Sequence, residues 1–209
     1  MTKFLVVFDV DSTLIEQEAI ELLAAHSEGA ELVQQITDRA MRGEIDFSQS
    51  LIERVATLKG LPDSVLAVVS SQLKLTEGAR ELVAEIHRRG GKAAAVSGGF
   101  IQLLDPIRNE LKLDFAAANT LGVEAGKLTG EVVGEIVNRQ AKADYLLSWA
   151  AECGVDPSQT IAVGDGANDL GMMQAAGLSV AFCAKPIVNE QADIVLAKRD
   201  LAELIRVLP

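Results

Sequence analysis

Two kinds of hydrophobic spacing run along this chain, and the switch between them divides it. Residues 4–8, Phe4-Leu5-Val6-Val7-Phe8, are a continuous apolar run of β-branched and aromatic side chains, the pattern of a parallel strand buried on both faces. Residues 16–75 then carry apolar positions at helical spacing with no strand between them. Helices are expected over 18–25, 30–41, 48–58 and 63–72, separated by Ser27-Glu28-Gly29, Gly43 and Gly60-Leu61-Pro62. From residue 76 short apolar runs alternate with helical patterns. Helices are expected over 77–89, 100–111 and 139–153, after Asp169, and briefly from Leu201. Strands are expected over 92–96, 115–118, 160–163, 179–182 and 194–196, and segments 121–124 and 127–133 flank Ala125-Gly126 as a hairpin.

Strands alternating with helices predict an α/β fold, a parallel sheet covered on both faces. The helical block then reads as an insert after the first strand. The expected division is a core of residues 1–15 and 76–209 and a helical cap of residues 16–75, placed over the crevice at the carboxyl ends of the strands.

Composition narrows the function. At 209 residues, 49% apolar and 23% charged, the chain can bury a real core. A net charge of −11 argues against nucleic acid and anionic membranes as partners, and an anionic substrate would need a metal or a few well-placed cations. Cys153 and Cys183 form no Cys-x-x-Cys pair, which favours a reducing compartment and excludes a thiolate zinc site. No apolar stretch is long enough to span a bilayer, and the first run is too short for a signal-peptide core, so a cytoplasmic location is expected. Of the two histidines, His26 and His87, the second sits with Arg88 and Arg89 before Gly90-Gly91, where cations suit a helix C-terminus. Carboxylates must therefore run any chemistry.

Four strand-end segments are candidates. Asp9-Val10-Asp11-Ser12-Thr13 delivers two carboxylates from the first strand; alone, such a pair is more often a turn or a helix cap. Ser97-Gly98-Gly99 offers a hydroxyl and backbone N–H groups that a ligand can approach closely, as a phosphate cradle requires, or simply a glycine turn. Gly164-Asp165-Gly166-Ala167-Asn168-Asp169 is an acidic loop without EF-hand spacing. Lys142, alone on its helix, reads as a solvated surface charge.

In order and spacing these four segments resemble the haloacid dehalogenase superfamily of phosphotransferases. The resemblance implies a Rossmann-like sheet with a helical cap and a Mg²⁺ ion held by Asp9, Asp165 and Asp11, the last through its backbone carbonyl. It implies Asp9 as the nucleophile that forms an aspartyl phosphate and Asp11 as general acid and base. Ser97, the Gly98 N–H and Lys142 would hold phosphoryl oxygens, with Asn168 on the substrate side. Gly171, where many relatives carry Pro or Ala, lies beyond the metal end of its loop.

The stretches 8–18, 40–55 and 127–131 further resemble the phosphoserine phosphatases of that superfamily. This implies hydrolysis of O-phospho-L-serine, the last step of serine synthesis, with Glu18 meeting the substrate ammonium and Arg54 its carboxylate. Met41 and Phe47 would be cap core or a shield against water. Some longer relatives carry an N-terminal regulatory region, so this chain is expected to be a minimal catalytic form. Two other readings stay open: another small phosphomonoester such as phosphohomoserine, or a phosphoryl acceptor other than water. A receiver-like signalling domain also uses acidic clusters, but the helical insert and the second acid, Asp11, speak against it. The expected partner is a small molecule, with neither nucleic acid nor membrane; monomer and homodimer are both open.

Overall fold

The computed structural model describes residues 2–41 and 44–209; the expectations resting on the Met41 side chain, Arg42 and Gly43 lie outside the described residues. A seven-stranded sheet forms the core. Its strands are β1 (Leu5–Phe8), β2 (Lys92–Phe100), β3 (Phe115–Glu124), β4 (Lys127–Val133), β5 (Thr160–Gly164), β6 (Leu178–Phe182) and β7 (Ile194–Leu196). They lie in the order β4-β3-β2-β1-β5-β6-β7, all neighbours parallel except the β3–β4 hairpin.

The first strand explains the architecture. Every residue of β1 is buried, and the side chains alternate between two hydrophobic cores. Val6 and Phe8 face a core built with α5 (Ala79–Arg88), α6 (Ile101–Leu111) and the C-terminal turns Leu201–Val207. Leu5 and Val7 face a second core built with α7 (Arg139–Cys153) and α8 (Leu170–Ala175). A strand buried on both faces has no polar positions to spare, hence the unbroken apolar run.

Register brings the motifs together. Phe8 pairs with Ala95 on one side and Val163 on the other. Asp9, Ser97 and Gly164 therefore stand at nearly one level, toward the carboxyl edge of the sheet.

Between β1 and α5 stand α1 (Ala19–Ala24), α2 (Ala30–Met41), α3 (Phe47–Ala56) and α4 (Val65–Gln72). They share a third core, containing Leu23, Val33, Leu51, Val55, Leu58 and Val69. The chain enters and leaves this unit side by side: Ile15 bridges Leu75, Thr76 N–H donates to Leu14 C=O at 2.9 Å and Glu16 N–H to Lys74 C=O at 3.0 Å. The cap also rests on the hairpin. Leu128 N–H donates to Leu61 C=O (2.8 Å), Gly60 N–H to Leu128 C=O (2.9 Å), and Leu121 and Leu128 lie in the cap core.

Four details depart from the sequence pattern. Segments 115–118 and 121–124 are one strand, β3. The strand expected over 92–96 continues through Ser97-Gly98-Gly99 to Phe100, its register with β3 shifting between Val96 and Phe100. A short helix α9 (Pro186–Asn189), without enough periodicity to read, follows β6, and Leu201–Val207 is tight 3₁₀ turns rather than an α-helix. The hairpin turn itself is as expected, with Ala125 (φ 48°) and Gly126 (φ 75°) both in the left-handed region that a two-residue turn requires.

Candidate active site

The residues after β1 leave the sheet in a wide turn, Val10–Leu14, closed by Ile15 N–H donating to Val10 C=O at 3.0 Å. Asp9, 5% exposed, is tied to the sheet by its N–H donating to Val163 C=O at 2.8 Å. This turn sends the two carboxyl groups to different places. Asp9 points to the core side, against Lys142. Asp11 points toward the cap, where Oδ1 accepts Ala19 N–H (2.7 Å) and Oδ2 accepts the Ser97 hydroxyl (3.2 Å).

Lys142 is not solvated: it is 0% exposed. Asn138 caps α7, its side-chain oxygen accepting Gln140 and Ala141 N–H, both at 3.0 Å. The first turn thereby turns Lys142 under β1, where its ammonium ion-pairs with Asp9 and with Asp169 Oδ1 (2.6 Å). A cation in the first turn of a helix opposes the macrodipole, so those carboxylates are what hold it there. They also keep its pKa above the usual lysine value although burial works the other way.

Asp169 organises the acidic loop. While Oδ1 meets Lys142, Oδ2 accepts the N–H groups of Asp165 (3.1 Å) and Gly166 (3.0 Å). Asp9, Asp165 and Asp169 each bring one carboxylate oxygen within 4.8 Å of the others. The cluster thus contains Asp169 and not the Asp11 side chain.

Burial and mutual repulsion shape these acids. Asp9 is held well above the ordinary carboxyl value of 3.8 by burial and by the charge of Asp169. Burial, with Asp169 second, pushes Asp165 to about 7. Asp11 is pushed to about 6 by burial and by the nearby Glu18. One buried lysine does not balance this much negative charge. An all-oxygen donor set with excess charge fits a hard divalent cation and offers no soft ligand.

Beside the acids lies a cradle. Ser97, 1% exposed, donates to Asp11 and accepts Gly99 N–H at 2.8 Å. At both following positions a side chain would force a neighbour to move. A Cβ on Gly98 would stand 2.5 Å from the Phe47 ring, and one on Gly99 would stand 2.6 Å from Asp11 Oδ2. Phe47 of α3 is therefore the cap residue that lies directly on the cradle. Alongside it a cleft of about 820 Å³ opens between Asp46, Phe47 and Ser48 of the cap and Asn138, Arg139 and Gln174 of the core.

Asn119 went unnoticed in the sequence. It is 1% exposed on β3; its amide donates to Gly98 C=O (2.8 Å) and Gly99 C=O (3.2 Å), and its oxygen accepts Val137 N–H (2.8 Å). The available signal was a lone amide inside the apolar run 115–121, since a buried polar side chain needs partners. Asn168, half-buried, lies on the acidic loop with its side chain over Gly166.

Glu18 and Arg54, the two residues expected to read the substrate, make separate contacts. Glu18, just before α1, accepts the Ser12 hydroxyl at 2.7 Å. Arg54 on α3 donates to Ser50 C=O at 3.2 Å. The neighbouring Glu53 pairs with Arg39 at 2.8 Å. Burial lowers the pKa of Arg54 while Glu18, Asp11 and Glu21 oppose that shift, so the guanidinium faces the acids of the site.

A largely parallel sheet with two carboxylates after its first strand, a buried lysine, an acidic loop and a helical cap defines a class. The haloacid dehalogenase-like hydrolase model matches residues 5–177, and the chain belongs to that family. Within it the chain groups with the phosphoserine phosphatases. It is 52% identical over 206 residues to the phosphoserine phosphatase of Streptococcus thermophilus, covering 99% of this chain and 96% of that one. It is 55% identical over 188 residues to that of Streptomyces coelicolor, covering 90% of this chain and 46% of that longer protein. A substrate-bound phosphoserine phosphatase structure superposes over the whole of both chains with a TM-score of 0.94 at 44% identity.

Proposed function

We propose that this chain hydrolyses O-phospho-L-serine to L-serine and phosphate, with Mg²⁺ held by Asp9, Asp165, Asp169 and the backbone carbonyl of Asp11. The observation that carries the reading is the separation of two neighbouring acids: Asp9 on Lys142 and the acidic loop, Asp11 on Ser97 beneath the cap. A bound Mg²⁺ would supply positive charge that neutralises the phosphoryl dianion.

The protein's own groups do the rest. Lys142, the Ser97 hydroxyl and the Gly98 N–H orient the phosphoryl group toward Asp9. An Asp9 oxygen attacks phosphorus and the bond to the serine oxygen breaks; that oxygen takes the proton held by Asp11. Burial keeps Asp11 protonated further toward neutrality than an ordinary carboxyl, which suits an acid facing a poor leaving group. In the second step Asp11, now ionised, accepts a proton from the water that attacks the aspartyl phosphate, releasing phosphate. Glu18 pairs with the substrate ammonium and Arg54 with its carboxylate. Residues 1–15 and 76–209 act as the catalytic core, and 16–75 as the substrate-reading cap. The two unpaired cysteines fit a reducing, cytoplasmic compartment; no helix among the described residues is long and apolar enough to cross a membrane.

The test is phosphate release from a panel of phosphomonoesters, with and without Mg²⁺. Phosphoserine should be preferred and chelator should abolish turnover. Arg54→Ala removes a charge-assisted contact worth about 1.5–3 kcal/mol, roughly a 10- to 150-fold loss in kcat/KM for phosphoserine. Phosphoethanolamine, which lacks the carboxylate, should be nearly indifferent. Equal losses on both substrates would remove the carboxylate reading of Arg54.

A further inference from the structure

Ser12 occupies the left-handed region, φ 57° and ψ 2°, where any side chain beyond glycine is strained. Three contacts hold it there. Its N–H donates to Gln17 C=O (3.2 Å) and its hydroxyl to Glu18 (2.7 Å), both within the next six residues. The third comes from the far end of the chain: the exposed Arg199 guanidinium donates to Ser12 C=O at 3.2 Å.

Arg199 projects from a loop that is itself tied down. Asp200 ion-pairs with Lys198 (2.8 Å) and accepts Ala202 N–H (3.0 Å), while Leu201 N–H donates to Glu77 C=O (2.8 Å). The carbonyl that Arg199 grips defines the peptide plane between Ser12 and the buried Thr13. That plane sets ψ of Ser12, the residue directly after Asp11, whose hydroxyl Glu18 holds.

We infer that Arg199 is a positioning residue for the reaction, clamping the strained Ser12 turn so that Asp11 stays aimed at the leaving oxygen. The inference rests on the phosphatase chemistry proposed above. As the Asp9–phosphorus bond forms, the phosphorus–oxygen bond to the alcohol breaks with its electron pair, and the oxygen takes the proton from Asp11. An alkoxide needs that proton; p-nitrophenolate leaves without it. A misplaced Asp11 therefore harms alkyl phosphates selectively, whereas loss of a mere electrostatic guide harms all phosphates alike.

The experiment compares kcat/KM of the full Mg²⁺-loaded chain and its Arg199→Met and Arg199→Lys variants on phosphoserine, propyl phosphate and p-nitrophenyl phosphate. This parameter reports the steps through departure of the leaving group. Arg199→Met should lose about tenfold on both alkyl phosphates and less than about twofold on the aryl one, with Arg199→Lys recovering part of the loss. Equal losses on all three that fade at high salt would reassign Arg199 to charge steering and overturn the inference. Equal losses accompanied by a lower Tm would make it a fold residue, and unchanged kinetics would remove any role. If the parent ignores phosphoserine but the alkyl-against-aryl contrast persists, the substrate reading falls and the Arg199 clamp stands.

Discussion

Replacing Lys142 by Met keeps the length and packing of the side chain but leaves Asp9 and Asp169 facing each other without the cation that joins them. Lys142 is 0% exposed, so solvent does not compensate. Removing one partner of a buried ion pair costs about 3–5 kcal/mol. For a chain of this size each kcal/mol moves Tm by about 2–4 °C, so the expected drop is roughly 6–20 °C. The pH dependence carries the stronger test. The Lys142 pKa is raised, so its contribution is fully present below the ordinary lysine value of 10.5 and is lost only above it. The Asp9 pKa is raised too, and loses its one lowering influence with the lysine. A carboxyl with a raised folded-state pKa favours folding below 3.8, and that benefit disappears as pH rises through its folded value. Asp9 therefore stays protonated to higher pH than an ordinary carboxyl, and the loss in the variant should grow between pH 5 and pH 8. Thermal unfolding of parent and variant in excess chelator at both pH values measures this. A drop in Tm that is the same at pH 5 and pH 8 would refute the argument.

Other expectations follow from the same geometry. Asn119→Ala orphans the buried Val137 N–H and the carbonyls of Gly98 and Gly99, costing about 2–4 kcal/mol, and should lower kcat more than it raises KM, read by chemical denaturation and steady-state kinetics. Mg²⁺ at a hundredfold its Kd should stabilise the parent by about 2.7 kcal/mol, or roughly 5–10 °C. At one fixed Mg²⁺ concentration the gain should grow between pH 5 and pH 8, as Asp165 is ionised through about 7, and a gain that shrinks with pH would contradict the ligand set. Asp9→Asn should abolish turnover of every substrate with the fold intact by circular dichroism, since an amide is isosteric but not nucleophilic. Asp11→Asn should instead spare p-nitrophenyl phosphate relative to phosphoserine in kcat/KM; equal losses would remove the general acid.

Much of this molecule is legible along the chain because its periodicities are unambiguous. A strand buried on both faces has no choice but to be apolar throughout, and cap helices with one buried face show it every three to four residues. Those patterns were enough to read the α/β core, the helical insert and the hairpin at Ala125-Gly126, whereas Asp9, Asp11, Ser97 and Asp165 read as a site only through the resemblance of the four strand-end segments to a known superfamily. Other properties are pairwise and reside in no single segment. Lys142 looks like a surface charge until α7 packs beneath β1 and buries it between two acids. Asn119 looks like an oddity in a strand until β2 lies beside it with two carbonyls to hold. Arg199 looks solvated until its loop, 187 residues from Ser12, is seen to hold the carbonyl of the turn that follows Asp9 and Asp11. Local pattern records which face of an element avoids water. The partners of a buried polar group are set by strand order and register, and these exist only once the chain has folded.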